Sequence, residues 1–358
     1  MINLFKARMS DDAGALVNEV LYSGYTGQGK QVEHFEDLLQ LELNTKTRPV
    51  TVNSCTSAID LALELCGLGV GDEVIATPAT CWASNCNIIN RGAKIIWADV
   101  IPDTSLIDPK SVKNKITEKT KAIISVNWGG NFCDFKTLKS FGIPVIEDAA
   151  HTWDVWKDFS HVERGDYICY SFQSIKYLQT ADGGLLICPT KEIEDKARLL
   201  RWFGLDRTKG ASFRCTQNIK YPGHKYQMND VTAAIGISNI KVAKQSVISQ
   251  RNNAKYLLAN IKNDSLIIPE FNDDCSYWIL SINAINLRKK QNFIDYCLEN
   301  GIEVSPVHYR NDLYDCTKEF KCDLPGVDYF SDTQICIPNG WWLSNDDLSY
   351  IIETINTF

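Results

Sequence analysis

The chain has 358 residues, of which 44% are hydrophobic and 23% are charged, and its formal net charge is −7. This length exceeds the size at which a single hydrophobic core stops growing, so two domains are expected. The acidic balance and the lack of a basic run exclude nucleic acid and anionic membranes as expected partners. No signal peptide is visible, and no apolar stretch reaches the ~20 residues that cross a bilayer, which predicts a cytoplasmic protein.

The thirteen cysteines are scattered along the chain. They form no C-x-x-C pair, and no histidine lies near them at the spacing of a zinc site. Many of them stand in apolar segments. The pattern therefore predicts buried free thiols in a reducing compartment and no metal site.

Short apolar runs alternate with helical patterns through the first half of the chain. Several runs are apolar on both faces, which is typical of strands buried in a parallel sheet that helices cover. The predicted strands are residues 50–53, 73–77, 94–98, 121–127, 144–148, 166–171 and 184–188. Helices are predicted between them, among others at residues 57–66 and 83–89. The alternation predicts a doubly wound α/β domain.

The pattern changes after a long predicted helix at residues 230–261. Strands are predicted beyond it at residues 266–269, 277–283, 303–306 and 334–337. Helices are predicted at residues 289–300 and 345–356. These elements indicate a smaller α+β domain, with a boundary between residues 245 and 262. We expect a large domain at residues 1–245 and a small C-terminal domain at residues 246–358.

Two charged residues follow predicted strands, where open α/β sheets bind their ligands. Asp148 ends one strand, and Lys176 follows the next strand and precedes the pair Gly183 and Gly184. Pyridoxal phosphate (PLP) needs a lysine for its Schiff base and a carboxylate that keeps its pyridine nitrogen protonated. Taken singly, Asp148 is better explained as a helix cap and Lys176 as a surface lysine.

Two further features fit the same cofactor. A predicted strand breaks at Thr56 and Ser57 into a helix whose first amides suit a phosphate, although a plain N-cap also explains these residues. Trp82 follows another strand and could stack on a flat heteroaromatic ring, although a core tryptophan is an equal explanation. The order of the four features along one α/β domain is what favours PLP.

Six segments together resemble the motifs of one family, and they extend over nearly the whole chain. Their positions are residues 21–36, 55–58, 147–151, 171–176, 182–184 and 226–236. Residues 147–151 read Glu-Asp-Ala-Ala-His, and residues 171–176 read Ser-Phe-Gln-Ser-Ile-Lys. The chain is identified as a member of the DegT/DnrJ/EryC1/StrS aminotransferases. The resemblance implies PLP fold-type I, with a large domain built on a mostly parallel seven-stranded sheet.

The resemblance also implies a role for each matching residue. Lys176 would carry PLP as a covalent aldimine, and Asp148 would pair with the pyridinium nitrogen. His151 would lie near the ring and its 3-hydroxyl, and these three residues are the expected catalytic set. Residues expected to bind the rest of the cofactor are Trp82 on the ring face, Thr56, Ser57 and Ser171 on the phosphate, and Lys225 from the partner subunit.

The reaction that the resemblance implies moves an amino group, usually from glutamate, to a nucleotide-linked keto-deoxysugar. Pyridoxamine phosphate would be the intermediate, and the enzyme would be a homodimer with shared active sites. Gln173, His308 and Arg310 are the expected substrate-binding residues. The chain departs from the family pattern at Cys55, where glycine is usual, and at Lys225, where asparagine is usual.

Three other functions remain open from the sequence. One is an aminotransferase that acts on another keto substrate, such as a cyclitol or a keto acid. Another is a PLP sugar dehydratase, which the retained Lys176 disfavours because those relatives carry histidine there. The last is a non-catalytic regulator that binds PLP or a sugar, although it would not need the pair of Lys176 and Asp148.

Overall fold

The computed structural model describes residues 1–210 and 212–358. A seven-stranded sheet forms the centre of the first part of the chain, and helices cover it. Its strands are β1 (Val50–Val52), β2 (Glu73–Ala76), β3 (Lys94–Trp97), β4 (Thr120–Val126), β5 (Val145–Asp148), β6 (Tyr167–Ser171) and β7 (Gly184–Ile187). Each of the seven strands predicted from the apolar runs is present, with ends within two residues of the prediction.

The strand order is β1-β7-β6-β5-β4-β2-β3. Strands β2 to β6 pair in parallel, and β7 is antiparallel to both of its neighbours. The predicted mostly parallel α/β sheet is therefore confirmed. Because parallel strands end at the same edge, the residues that follow β2, β4, β5 and β6 are brought to one side of the sheet.

The helices of this part of the chain are α1 (Ala13–Leu21), α2 (Lys30–Leu43), α3 (Cys55–Leu65), α4 (Cys86–Asn90), α5 (Pro109–Lys113), α6 (Phe135–Lys139), α7 (Lys191–Arg201) and α8 (Phe213–Thr216). Several of them pack on the sheet, among them α2, α3, α4, α6 and α7, whereas α1 packs on the later helix Asp230–Asn260. The helix predicted at residues 83–89 is divided into a short 3₁₀ turn, Trp82–Ser84, and α4. This division places Trp82 and Ser84 at the carboxyl edge of the sheet.

A three-stranded antiparallel sheet lies in the second part of the chain. It contains β8 (Leu266–Ile267), β9 (Leu280–Ala284) and β10 (Gln334–Ile337), in the order β10-β9-β8. The helices around it are α10 (Leu287–Glu299), α11 (Pro325–Thr333) and α12 (Asn345–Thr357).

The strand predicted at residues 303–306 is wrong. Its pairing is limited to isolated bridges, one from Ser305 to Cys336 and one from the preceding residue, Ile302, to Ile2. Pro306 has no amide hydrogen to donate, so it ends the pairing with β10. The chain then turns at Val307, which has a positive φ of 70°, and leads His308 away from the small sheet.

The long helix α9 (Asp230–Asn260) matches the predicted helix at residues 230–261. It runs without a break through residue 245, at which we placed the boundary between the two domains. Buried residues on both halves of α9 pack on the two parts of the chain, Ala243 in the large core and Ala254 in the small one. The division into residues 1–245 and 246–358 stays a prediction.

All thirteen cysteines are free. Cys215, Cys316 and Cys322 are exposed, so the expectation that the thiols are buried is wrong for these three. They lie in polar surface segments rather than in the apolar strands that bury Cys169 and Cys336. Within the described residues, none of the helices combines the length and apolar character that crossing a membrane requires.

Candidate active site

Asp148 is the last residue of β5 and is almost completely buried, with 4% of its surface exposed. One carboxylate oxygen, Oδ2, accepts a hydrogen bond from Ser84 Oγ at 2.7 Å. The other, Oδ1, accepts one from the backbone amide of Ala150 at 3.0 Å. Burial raises the pKa of Asp148, while these two hydrogen bonds and the charge of Lys176 act against that rise. The result is a desolvated carboxylate held in one orientation.

Lys176 lies in the turn after β6, and its amine reaches back into the same pocket. Its Nζ lies 3.2 Å from the centroid of the Trp278 ring. Burial lowers the pKa of Lys176 to about 7, although the charge of Asp148 acts in the opposite direction. An amine with this pKa is partly unprotonated at neutral pH, which a nucleophile or proton carrier requires.

His151 follows β5 and has 3% of its surface exposed. Its imidazole stacks on the Trp278 indole, with centroids 4.1 Å apart and an interplanar angle of 26°. Burial, with the charge of Lys176 and of His308, lowers the pKa of His151 well below its ordinary value. His151 Nδ1 accepts a hydrogen bond from the amide of Gly129 at 3.3 Å. The ring is therefore neutral, with its proton on Nε2, which makes Nε2 a donor.

The predicted phosphate turn lies at the beginning of α3. Ser54 is the N-cap and accepts a hydrogen bond from the amide of Ser57, whose hydroxyl donates to Asn53. Ser57 thus shapes the turn, and its amide is already bonded. The backbone of Gly184 packs closely here, because a Cβ on it would lie 2.5 Å from the amide nitrogen of Cys55.

The three remaining residues assigned to the cofactor differ in their surroundings. Trp82 is half-buried and contacts Tyr314 edge to face at 5.5 Å. Ser171 ends β6 opposite Gly184 of β7, which places it beside the beginning of α3. Lys225 is exposed, and within the described part of the chain its ammonium has no hydrogen bond or ion pair. Its side chain is free to extend away from this chain.

The residues on either side of Lys225 are both anchored to α3. His224 Nε2 lies 2.6 Å from a carboxylate oxygen of Glu64, and the Tyr226 hydroxyl donates to Asp60 at 3.0 Å. The two rings are parallel, with centroids 4.5 Å apart. This segment is therefore rigid at the point where it presents Lys225.

Of the three residues predicted to bind substrate, His308 and Arg310 line one cavity and Gln173 does not. His308 lies beside His151, but Gln173 is exposed, and its side chain bonds to Ser174 and Ile175 of its own turn. Arg310 forms ion pairs with Asp312 and Asp328. Its charge is satisfied within the chain, which makes it a structural cation in this conformation.

A cavity of about 480 Å³ opens beside the histidines. It is lined by the segment that contains His308 and Arg310, by Trp128 after β4, and by residues of α10, α11 and β10. Trp128 contacts both His151 and His308 edge to face, at 5.4 and 5.5 Å. The aromatic rings of Trp128 and His308 therefore lie between the cavity and His151.

Sequence reasoning missed three residues of this pocket. Trp278 was predicted only as part of a strand, Trp128 as a residue after a strand, and Ser84 as part of a helix. Each has its role through a contact with a residue distant in sequence, and no local motif marks them. The available signal for Asp148 was a carboxylate at the end of a predicted apolar strand, whereas Ser84 lies several residues beyond the end of β2 and carries no such signal.

The sequence profile of the DegT/DnrJ/EryC1/StrS aminotransferase family matches residues 8–356. The chain belongs to this family. The spore coat polysaccharide biosynthesis protein SpsC of Bacillus subtilis (strain 168) is 31% identical to it, over 95% of this chain and 92% of SpsC.

Two solved structures share the fold over the whole length. The sugar aminotransferase CalS13 from Micromonospora echinospora is 32% identical, with full coverage of both chains (100%) and a TM-score of 0.90. AtS13 from Actinomadura melliaura is 33% identical, with a TM-score of 0.92 over 100% of this chain and 99% of AtS13. The fold is that of the PLP fold-type I enzymes, and the protein is a PLP-dependent aminotransferase.

The pocket fits this cofactor chemically. It offers an amine of lowered pKa, a buried carboxylate, flat aromatic rings and the first turn of a helix of eleven residues. The buried carboxylate is the telling feature, because Asp148 has no arginine or lysine hydrogen-bonded to it in the described residues. A protonated pyridine nitrogen would give this charge a partner.

Proposed function

We propose that the protein transfers an amino group from glutamate to the keto carbon of a nucleotide-linked deoxysugar. The observation that carries the proposal is the proximity of Lys176 to both Asp148 and His151, whose charges or rings act on one another, in a chain of this aminotransferase family. The sugar as substrate class is supported by the name of CalS13, and a polysaccharide pathway by that of SpsC.

Lys176 would hold the cofactor through a covalent bond from its Nζ, and Asp148 would hold the pyridine nitrogen through its carboxylate. The hydroxyls of Thr56 and Ser171 lie beside the beginning of α3, where helix amides and the helix dipole favour a phosphate. Trp82 would contact the ring face. When bound, PLP supplies an electron sink that stabilises negative charge on the carbon of the amino donor.

Lys176 would move the proton that transamination requires. Its unprotonated Nζ would accept a proton from the amino donor, and its protonated form would give one up again within the same pocket. The pKa of about 7 allows both directions at neutral pH, because neither form is strongly favoured. Burial in the pocket keeps water from exchanging with the proton in transit.

His151 would act as a neutral donor from Nε2 to the 3-oxygen of the cofactor. The amide of Gly129 fixes its tautomer at Nδ1, and the indole of Trp278 fixes its ring plane. A neutral donor stabilises negative charge on that oxygen without adding a second positive charge next to Lys176.

The cavity of about 480 Å³ would receive the sugar substrate. His308 lines it, and its Nε2 is buried without a hydrogen-bond partner in the described residues. A sugar hydroxyl or keto oxygen would satisfy this atom. Gln173 and Arg310 stay predicted substrate residues, although Arg310 would have to leave its carboxylate partners to contact a ligand.

The active unit would be a homodimer in which Lys225 of each chain reaches the cofactor phosphate of the other. The exposed, unpaired ammonium of Lys225 and its anchored neighbours support this arrangement. A two-fold interface would create two equivalent sites. The cytoplasmic location stays a prediction from the sequence.

The test is amination of defined substrates. The protein, loaded with PLP, is incubated with glutamate and a panel of nucleotide-linked keto-sugars, and mass spectrometry follows the change from ketone to amine. One member of the panel should be converted, and the Lys176→Ala variant should convert none. Turnover of a free keto acid or cyclitol in place of every nucleotide sugar would contradict the proposal.

A further inference from the structure

A chain of buried hydroxyls leads away from Asp148. Ser84 Oγ lies 2.7 Å from Asp148 Oδ2, and Thr80 Oγ1 lies 3.2 Å from Ser84 Oγ. Ser84 and Thr80 have 2% and 1% of their surfaces exposed. Neither hydroxyl has access to bulk water, so each must find its hydrogen-bond partners inside the protein.

The direction of these hydrogen bonds follows from the chemistry of the groups. An ionised carboxylate only accepts, so Ser84 donates its single proton to Asp148. The oxygen of Ser84 can then only accept from Thr80, which donates to it. Both O–H groups therefore donate in the direction of the carboxylate. Their dipoles stabilise the charged form of Asp148.

Asn311 fixes the backbone that carries this chain of hydroxyls. Its amide nitrogen Nδ2 donates to the carbonyl of Thr80 at 2.9 Å, and its backbone amide donates to the carbonyl of Pro78 at 2.9 Å. Its Oδ1 accepts from Asn85 at 2.7 Å. Asn311 is completely buried, and it directly follows Arg310 in the segment that lines the cavity. The same segment thus lines the cavity and supports the loop beneath Asp148.

We propose that Ser84 and Thr80 are positioning residues that hold the Asp148 carboxylate ionised and correctly oriented, and that Asn311 secures the loop that carries them. The proposal rests on the proposed function, in which Asp148 meets the pyridine nitrogen. The loop after β2 would thereby influence the protonation of the pyridine nitrogen through the charge of Asp148. Because the segment of Asn311 also lines the cavity, the cavity wall and Asp148 would be structurally connected.

Other groups around Asp148 act on its charge as well. The ammonium of Lys176 favours the ionised form, whereas the neighbouring Glu147 disfavours it. The thiols of Cys55 and Cys169 also face Asp148, and its presence contributes to their raised pKa values, after burial. Among the described residues, Ser84 is the side chain that donates a hydrogen bond to the carboxylate, so its removal isolates that contribution.

The first measurement is the pKa of Asp148 in the full-length protein without cofactor, from the ¹³C signals of carboxyl-labelled aspartate. The Asp148→Asn variant identifies the signal by its loss. Ser84→Ala should raise the pKa of Asp148 by about one pH unit, because a hydrogen bond to the charged form is lost. Thr80→Val should shift it in the same direction, and Thr80→Ser, which keeps the hydroxyl, should not.

Ser105→Ala is the matched control. Ser105 is equally buried, and its hydroxyl donates to the carbonyl of Ala79 in the same loop, away from the path to Asp148. It should leave the pKa of Asp148 unchanged. Equal shifts in Ser84→Ala and Ser105→Ala, or no shift in Ser84→Ala, would overturn the proposal. If the folded Asn311→Ala variant shows an unchanged pKa for Asp148, Asn311 has no part in positioning the carboxylate.

The second measurement uses the cofactor-loaded enzyme. Ser84→Ala should lower kcat about tenfold while the KM for glutamate stays nearly constant, because the defect acts on the reacting state rather than on binding. If the pKa shifts as expected but no keto-sugar is aminated by the wild type, the proposed function fails and the positioning of Asp148 stands. If amination occurs and the pKa does not shift, only the positioning fails.

Discussion

The imidazole rings of His151 and His308 lie nearly parallel, with centroids 6.0 Å apart and an interplanar angle of 14°. Burial lowers the pKa of His308 to about 4, and it lowers the pKa of His151 well below the ordinary value. The charge of Lys176 acts on both rings in the same direction. Two neutral histidines therefore lie side by side, His308 at the wall of the cavity and His151 next to the Trp278 ring that Lys176 contacts.

Neutral buried histidines make the stability of the fold depend on pH. His308 of the unfolded chain becomes protonated as the pH falls below 6.5, whereas in the folded chain it stays neutral until the pH is near 4. The free energy of unfolding therefore decreases as the pH drops through this range. The His308→Asn variant lacks this titrating group. Between pH 6.5 and 5.5, its free energy of unfolding should therefore fall by about 1 kcal/mol less than that of the wild type. Urea unfolding of the cofactor-free protein at the two pH values measures the difference. Identical losses would mean that His308 is charged in the folded protein.

The second prediction concerns the lysine that binds the cofactor. Because the amine of Lys176 is buried and has a pKa of about 7, it is the expected nucleophile toward PLP. The purified holoprotein should absorb visible light, and borohydride should fix the chromophore on the peptide that contains Lys176. Mass spectrometry of the digest locates the label. Lys176→Ala should bind PLP reversibly without turnover, and a label on another lysine would refute the assignment.

The third prediction concerns the partner of the pyridine nitrogen. Asp148→Asn keeps the shape of the side chain and removes the charge that favours a protonated ring. The variant should still bind PLP, but its half-reaction with glutamate should slow by orders of magnitude in stopped-flow absorbance. Thermal unfolding should show that the fold is intact. A rate near that of the wild type would reduce Asp148 to a cap of the turn at Ala150.

The fourth prediction concerns the dimer. If Lys225 contacts the phosphate in the neighbouring subunit, Lys225→Ala should weaken PLP retention without changing the fold, since its ammonium makes no hydrogen bond or ion pair within the described residues. Equilibrium dialysis of PLP measures the loss. Lys220→Ala is the control, because it removes a nearby lysine of the same polar segment that packs on Tyr221 instead.

Subunit exchange then separates the two arrangements of the site. Lys176→Ala chains mixed with Lys225→Ala chains form hybrids in which one site carries both defects and the other carries neither. Activity should therefore recover in the mixture if Lys176 and Lys225 of one site come from different chains. Exchange without recovery would place Lys225 in the site of its own chain, or in none.

The sequence by itself determined the central sheet. Its strands are buried on both faces by helices, so they appear in the sequence as short, nearly continuous apolar runs. The ends of such runs can be located without knowledge of the tertiary structure. The position of Asp148 could be predicted for a related reason, because a carboxylate at the last position of such a run must lie at the carboxyl edge of the sheet. The roles of Lys176 and His151 came from the motifs that contain them, and they stay predictions until the experiments above are done.

Only the tertiary structure decided which distant residues meet these side chains. Trp278 lies beneath Lys176, and Ser84 and Asn311 support Asp148, through contacts between segments far apart in sequence. The structure also decided which charges are free. Arg310 has carboxylate partners and Lys225 has none in the described residues, although both looked alike as single cations. Pairing and burial are properties of packing, and a one-dimensional pattern records the type of each side chain but not its neighbours.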